Sequence, residues 1–159
     1  MWFDGQAREF DESAGLAPDV GRGVAEAIVA LSGAAVDDLI LDIGAGTGAI
    51  GSHFAGSSYR YIGLELSPDM LAMFHRKLDP LPGNILLAEI DCDRTWPVDS
   101  RTVTAVFASR VVHHLKLRHF VDETERVCRS GGSLLLGRVT RDPESLPSRL
   151  QRKKRALLS

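Results

Sequence analysis

Apolar positions along this chain switch between helical and strand periods. Val20, Val24, Ala27, Ile28 and Leu31 recur at helical spacing, and Pro18 just ahead of them suits a helix start. Leu39-Ile40-Leu41-Asp42-Ile43 is a short apolar run ending at glycine, which reads as a buried strand, with a helix expected from Gly48 to Ala55. A second strand is predicted over Tyr59 to Glu65. Ser67-Pro68-Asp69 then signals a helix that buries Met70, Leu71, Phe74 and Leu78 and stops before Pro80. Ile85 to Ile90 and Thr102 to Ala108 read as the third and fourth strands. Leu117, Phe120, Val121, Thr124, Val127 and Cys128 again recur at helical spacing. Ser130-Gly131-Gly132 is expected to end that helix ahead of a fifth strand over Ser133 to Val139. Strand–helix alternation of this kind predicts right-handed βαβ units and an α/β, doubly wound, mainly parallel sheet covered on both faces.

Composition narrows the class. The 159 residues are 44% hydrophobic and 25% charged, which suits one globular domain, and the formal charge of −2 gives no strong field for nucleic acid or an anionic membrane. No apolar run is long enough to span a bilayer, and Met1-Trp2-Phe3-Asp4-Gly5 lacks the pattern of a signal peptide. Cys92 and Cys128 lie far apart without a CxxC pair; this argues against a zinc site or a disulfide framework and fits a reducing cytoplasm. The histidines show no metal-ligand spacing with a carboxylate, so no metal is expected. A domain over residues 1–140 is expected, followed by a basic segment over 141–159. The cluster Arg149 to Arg155 reads more readily as a solvated helix end than as an RNA contact.

The chemistry concentrates at Asp42-Ile43-Gly44-Ala45-Gly46-Thr47-Gly48. A strand running into a glycine-rich turn that opens a helix offers backbone N–H groups and close approach to a ligand. Gly46-Thr47-Gly48-Ala49-Ile50-Gly51 also satisfies GxGxxG, so the loop alone admits a dinucleotide. Its acidic company separates the readings. Asp42 at the strand end would repel a pyrophosphate and attract an ammonium or sulfonium. Glu65 and Asp91 close the next two strands, making an acidic row that suits a cationic amino-acid nucleoside.

With these residues the sequence resembles the class I, Rossmann-like S-adenosylmethionine-dependent methyltransferases, especially the small-molecule group, from about Phe3 to Val139. The resemblance is carried by Leu41–Gly48, Gly63-Leu64-Glu65-Leu66-Ser67-Pro68-Asp69-Met70-Leu71, Glu89-Ile90-Asp91-Cys92, Phe107–Leu115 and Ser130–Ser133. It implies strand order 3-2-1-4-5, S-adenosylmethionine as cofactor and S-adenosylhomocysteine as product. Gly44, Gly46 and Gly48 would let the backbone pass the methionine part of the cofactor, with Asp42 orienting its ammonium. Glu65 would bind the ribose hydroxyls, and Leu66 would pack on the adenine. Asp91, preferred over Asp93, would accept from the adenine amino group, and Cys92 would offer its backbone N–H. Ser109 would contact the methionine part, and Phe10 would lid the pocket. The family's usual seven strands would include two beyond the fifth, which implies a fragment of a longer chain or a sheet edge completed by a partner such as a second copy.

Methyl transfer is a direct displacement, so a general base is needed only where the acceptor must lose a proton. His113 and His114, after the fourth strand, are the candidates. The place of an Asn/Asp-Pro-Pro-aromatic motif is taken by Ser109-Arg110-Val111-Val112, which lowers the odds for nucleobase N-methylation and leaves a small-molecule acceptor as the default. Two other functions fit the same residues: a non-catalytic S-adenosylmethionine-binding regulatory subunit and an NAD-dependent dehydrogenase.

Overall fold

A computed structural model describes residues 16–138; Phe10 and the basic tail lie outside the described residues. Helix α1 (Pro18–Ser32) leads into strand β1 (Leu39–Ile43), followed by a 3-10 turn (Gly51–Phe54), β2 (Arg60–Glu65) and α2 (Pro68–Lys77). Then come β3 (Ile85–Glu89), β4 (Val103–Ser109), a 3-10 turn (Val112–His114), α3 (Leu117–Val127) and β5 (Cys128–Gly137). The strands form one sheet in the order β3-β2-β1-β4-β5, each neighbouring pair parallel. This is the doubly wound arrangement expected, with the order of strand addition reversing between β1 and β4, where such sheets open a crevice beyond their carboxyl ends. Among the described residues no helix is long and apolar enough to cross a membrane.

Both faces of the sheet are covered, which explains why β1 is buried along its whole length. Ile40, Tyr61 and Phe107 point to one face and pack with Ile28 of α1, Phe54 and Phe74. Leu41, Ile43, Leu64 and Val106 point to the other, against Phe120 and Val127 of α3 and Trp96. By the alternation of side chains along a strand, Asp42 falls on the face of Ile40, beneath the glycine loop.

Three local expectations change. The helix expected over Gly48–Ala55 is a single 3-10 turn over Gly51–Phe54. Gly44, Gly46 and Gly48 all have positive φ, so right-handed helical backbone cannot begin inside the motif. The face α1 buries is also rotated from the expected one. Gly21, Ala25 and Ile28 are buried, while Val20 and Leu31 are 47% and 72% exposed. The cause is Gly21, which seats against the Ala49 carbonyl where any side-chain carbon would collide. Lastly, Ser130-Gly131-Gly132 does not end a helix. Helix α3 stops at Val127 and β5 starts at once. Val103 pairs with Cys128 and Ala105 with Ser133, so the glycines form a bulge in β5 that places Leu134 to Leu136 in register with β4.

Candidate functional site

A cavity of about 310 Å3 opens beyond the carboxyl ends of β1, β2 and β4. Its wall on the β1–β2 side is the glycine loop. The Gly44 and Ala45 N–H groups both donate to the Leu64 carbonyl, at 2.8 and 3.0 Å, so the loop is stitched to the neighbouring strand as it leaves β1. Gly44 lies against Val111, and a side-chain carbon there would collide with that valine. Gly46 faces open space, with only the Met70 sulfur at 4.0 Å from where a Cβ would sit. Gly48 is different: its missing side chain makes room for the Phe74 ring, and it does not line the cavity.

Two carboxylates belong to this wall. Asp42 is 4% exposed, and its Oδ2 accepts a 2.6 Å hydrogen bond from the Tyr61 hydroxyl. Burial raises its carboxyl to about 7; the Tyr61 bond opposes the shift and the Glu65 charge adds to it. Glu65 ends β2 and receives three backbone N–H groups, Gly46 on Oε2 at 2.8 Å and Leu66 and Ser67 on Oε1 at 2.9 and 3.0 Å. It therefore braces the loop whose ligand it is expected to bind. Ser67 caps α2 by accepting from the Met70 N–H at 3.4 Å, as its sequence position predicts.

On the far side, β4 ends at Ser109, and Arg110 takes a left-handed conformation (φ 59°) that turns the chain across the cavity mouth. His113 and His114 follow on the 3-10 turn, both exposed, with ring centroids 3.9 Å apart. The cavity gathers Asp42, Gly44, Gly46, Glu65, Ser109, His113 and His114 from the residues singled out in the sequence. Gly48, Leu66, Asp91 and Cys92 lie outside its lining.

Asp91 and Cys92 stand on the loop after β3. The Asp91 Oδ1 accepts the Asp93 N–H at 2.9 Å, and its Oδ2 lies 3.7 Å from Arg94 Nε. Asp93 is directed elsewhere, its Oδ1 accepting from the Lys116 N–H at 2.7 Å. Cys92 is buried, and burial, helped by the Glu65 charge, pushes its thiol up to about 12, so it stays protonated and is no nucleophile.

The lining also includes residues the sequence reading did not single out. Thr47 sits inside the glycine motif and could have been included on that ground. Met70 reads from the sequence only as a core position of α2, and Arg110 and Val111 carry no local signal beyond following Ser109.

A family model described as "Methyltransferase domain" matches residues 41–136. No curated protein matches the chain. Among solved structures, one is a Methanococcus maripaludis protein whose assignment as an S-adenosyl-L-methionine-dependent methyltransferase is provisional. It has TM-score 0.75 and 22% identity, and the match covers 95% of this chain and 72% of that one. Geranyl diphosphate C-methyltransferase of Streptomyces coelicolor, solved with Mg2+, geranyl diphosphate and S-adenosyl-L-homocysteine, has TM-score 0.64 and 20% identity, covering 83% of this chain and 51% of that one. Phosphoethanolamine N-methyltransferase 2 of Haemonchus contortus, in complex with phosphomonomethylethanolamine and S-adenosylhomocysteine, has TM-score 0.63 and 21% identity, covering 83% and 32%. The chain thus spans about half and a third of the length of the last two. At these identities the likeness is one of fold.

Proposed function

The chain belongs to the methyltransferase-domain family, and from that premise we propose that it binds S-adenosylmethionine at the carboxyl edge of its sheet and transfers the methyl group to a small-molecule acceptor. The observation that carries this reading is one cavity holding Asp42, Gly46 and Glu65 together: two carboxylates beside a backbone with no side chain in the way. The donor set fits a cationic amino-acid nucleoside. Asp42 faces the ammonium, Gly46 gives close approach, Glu65 has lone pairs left for the ribose diol, and Ile50 and Met70 add apolar surface. The same two acids oppose a dinucleotide pyrophosphate, and family membership removes the ground for a dehydrogenase.

When bound, S-adenosylmethionine supplies an electrophilic methyl on a sulfonium. The chain's own residues orient and exclude water. Ser109, at the end of β4, lines the cavity and would contact the methionine part, while Asp91 and the Cys92 N–H, on the loop after β3 beyond that lining, would meet the adenine. Arg110 and Val111 carry the chain across the mouth. His113 and His114, which line the cavity, would accept a proton from an acceptor that must lose one. The Ser109-Arg110-Val111-Val112 segment supports a small acceptor, because it lacks the proline-aromatic platform on which an extruded base would stack. We assign residues 1–140 to this domain, with the protein acting in the cytoplasm.

Calorimetry with S-adenosylhomocysteine and with NAD tests the cofactor: heat with the first and none with the second is expected. NAD binding without S-adenosylhomocysteine binding would sink the proposal. A transfer screen with methyl-labelled cofactor and small-molecule acceptors then separates an enzyme from a subunit that only binds the cofactor.

A further inference from the structure

Resting on the cofactor reading above, we infer that Glu123 and Arg126 of α3 are positioning residues for adenine recognition, acting through Trp96 on the loop that carries Asp91 and Cys92. The loop between β3 and β4 has little regular structure of its own, yet Trp96 within it is 1% exposed and stacks edge-on against Phe120 of α3, 5.8 Å between ring centroids. Its backbone is gripped on both sides. The Trp96 N–H donates to Glu123 Oε2 at 2.7 Å. Arg126 donates from one terminal nitrogen to the Trp96 carbonyl at 3.0 Å and from the other to the Val98 carbonyl at 2.8 Å. Arg126 and Glu123 are locked to each other by two further bonds, Nε to Oε1 at 2.8 Å and a terminal nitrogen to Oε2 at 2.7 Å.

From Trp96 the restraint passes back to the adenine side. The indole Nε1–H donates to the Cys92 carbonyl at 3.1 Å, fixing the peptide that follows Asp91 and Cys92. Lighter ties run from the start of α3 to the same loop, Lys116 N–H to Asp93 and His119 to the Arg94 carbonyl at 2.9 Å. Helix α3 is already anchored to the sheet by Phe120 and Val127, which are 1% and 0% exposed. The polar pair acts on the loop instead. A planar guanidinium that meets two carbonyls and one carboxylate at once fixes a plane, which a lysine could not do. The reading also explains a buried glutamate 27 residues after Trp96: its oxygen supplies the acceptor that the Trp96 N–H would lack in an apolar core.

The test uses the full chain and two probes, S-adenosylhomocysteine and its inosine analogue, in which a carbonyl oxygen replaces the adenine amino group. Wild type is expected to prefer the adenine form. Arg126→Met should shrink that preference about five- to tenfold, the equivalent of one good hydrogen bond. Glu123→Gln keeps an oxygen for the Trp96 N–H and should retain most of it. In a double-mutant cycle, Arg126→Met and Asp91→Asn should be non-additive, because both act on one contact. If Arg126→Met does not fold, His119→Ala should change the preference in the same direction by a smaller factor. Unchanged preference in a folded Arg126→Met protein, with additive effects in the cycle, overturns the inference and leaves the cofactor reading standing. Failure of wild type to bind S-adenosylhomocysteine overturns both.

Discussion

The carboxylates at the ends of β1 and β2 differ from those of the loop after β3 and of α3 in whether a cation sits beside them. On the β1–β2 side Asp42 takes a neutral hydroxyl and Glu65 takes three backbone amides. In the loop after β3 and in α3, each acid has a cation beside its backbone donor: Glu123 takes the Arg126 guanidinium with the Trp96 N–H, and Asp91 lies near Arg94 with the Asp93 N–H. Neutral donors fix the geometry of a carboxylate and leave its charge in place; an arginine cancels it. The first arrangement lets a cationic ligand draw Asp42 into its charged form from a carboxyl that burial lifts to about 7, while the second holds chain segments together. A buried acid with neutral partners is thus a better pointer to a cationic ligand than an acid in an ion pair.

The largest effect expected from this contrast is on stability, within the glycine loop. Gly48→Ala puts a methyl group into the Phe74 ring at a residue with φ of 82°. Overpacking and left-handed backbone together should destabilise by about 3 kcal/mol, or roughly 6–12 °C in Tm for a domain of this size. Gly46→Ala has the same backbone problem but open space around it. It should lose only about 1–2 kcal/mol while weakening S-adenosylhomocysteine binding more than Gly48→Ala does, relative to each protein's stability. Thermal melts alongside calorimetry check both; equal melts for the two variants would show that packing does not distinguish these glycines.

That pair also marks what was legible in the sequence. The glycine loop and the acids at strand ends were readable because each depends on residues adjacent in the chain: an apolar run, then Asp42, then glycines; strand order came only with the family resemblance those residues carry. The division of labour among the glycines was not, because whether a glycine faces a ligand or Phe74 depends on how α2 packs. The same holds for Gly21, whose seat against the Ala49 carbonyl turns α1 away from the face suggested by Val20 and Leu31. The bracing of the loop after β3 by Glu123 and Arg126 was also hidden, since a Glu and an Arg three apart on a helix read as an ordinary surface pair. Cavity residues such as Arg110 and Val111 come into place through a positive φ that nothing in their identity predicts.

Next in size is Glu65→Ala, which removes the acceptor of three N–H groups together with the proposed ribose contact. S-adenosylhomocysteine affinity should fall more than tenfold. Glu65→Gln can still accept but loses the charge, and should fall between wild type and Glu65→Ala. If calorimetry shows the alanine variant binding as tightly as wild type, Glu65 braces the loop and nothing more.

The uncancelled charge predicts a pH dependence. The Asp42 carboxyl, lifted from 3.8 to about 7, is stabilising in its neutral form. Its contribution to stability is full below about pH 4 and is lost as pH rises toward 7. Ligand binding runs the other way, because an ammonium against Asp42 favours the ionised form. Below pH 7 S-adenosylhomocysteine affinity should fall by up to about tenfold per unit, with a proton released on binding. Tyr61→Phe removes the one hydrogen bond that lowers Asp42, so the fall should begin at a higher pH. Calorimetry in buffers of different ionisation enthalpy measures the proton directly, and no proton release at pH 6 would place the ammonium away from Asp42.

The smallest expected effect separates two acids two residues apart. Asp93 accepts from the Lys116 N–H at the start of α3, whereas among the described residues the Asp91 carboxylate is engaged by its own turn and by Arg94. Asp93→Ala should therefore cost about 1 kcal/mol of stability, as loss of one hydrogen bond does, and leave S-adenosylhomocysteine affinity within about twofold. Asp91→Ala should do the reverse, weakening affinity about fivefold through the adenine amino group with little change in melting temperature. Swapped outcomes would move the adenine contact to Asp93, and the loop would then have to release its tie to α3 when the ligand enters. That outcome would bring the adenine contact under the same contrast, since Asp93 accepts from a neutral N–H while Asp91 lies beside Arg94.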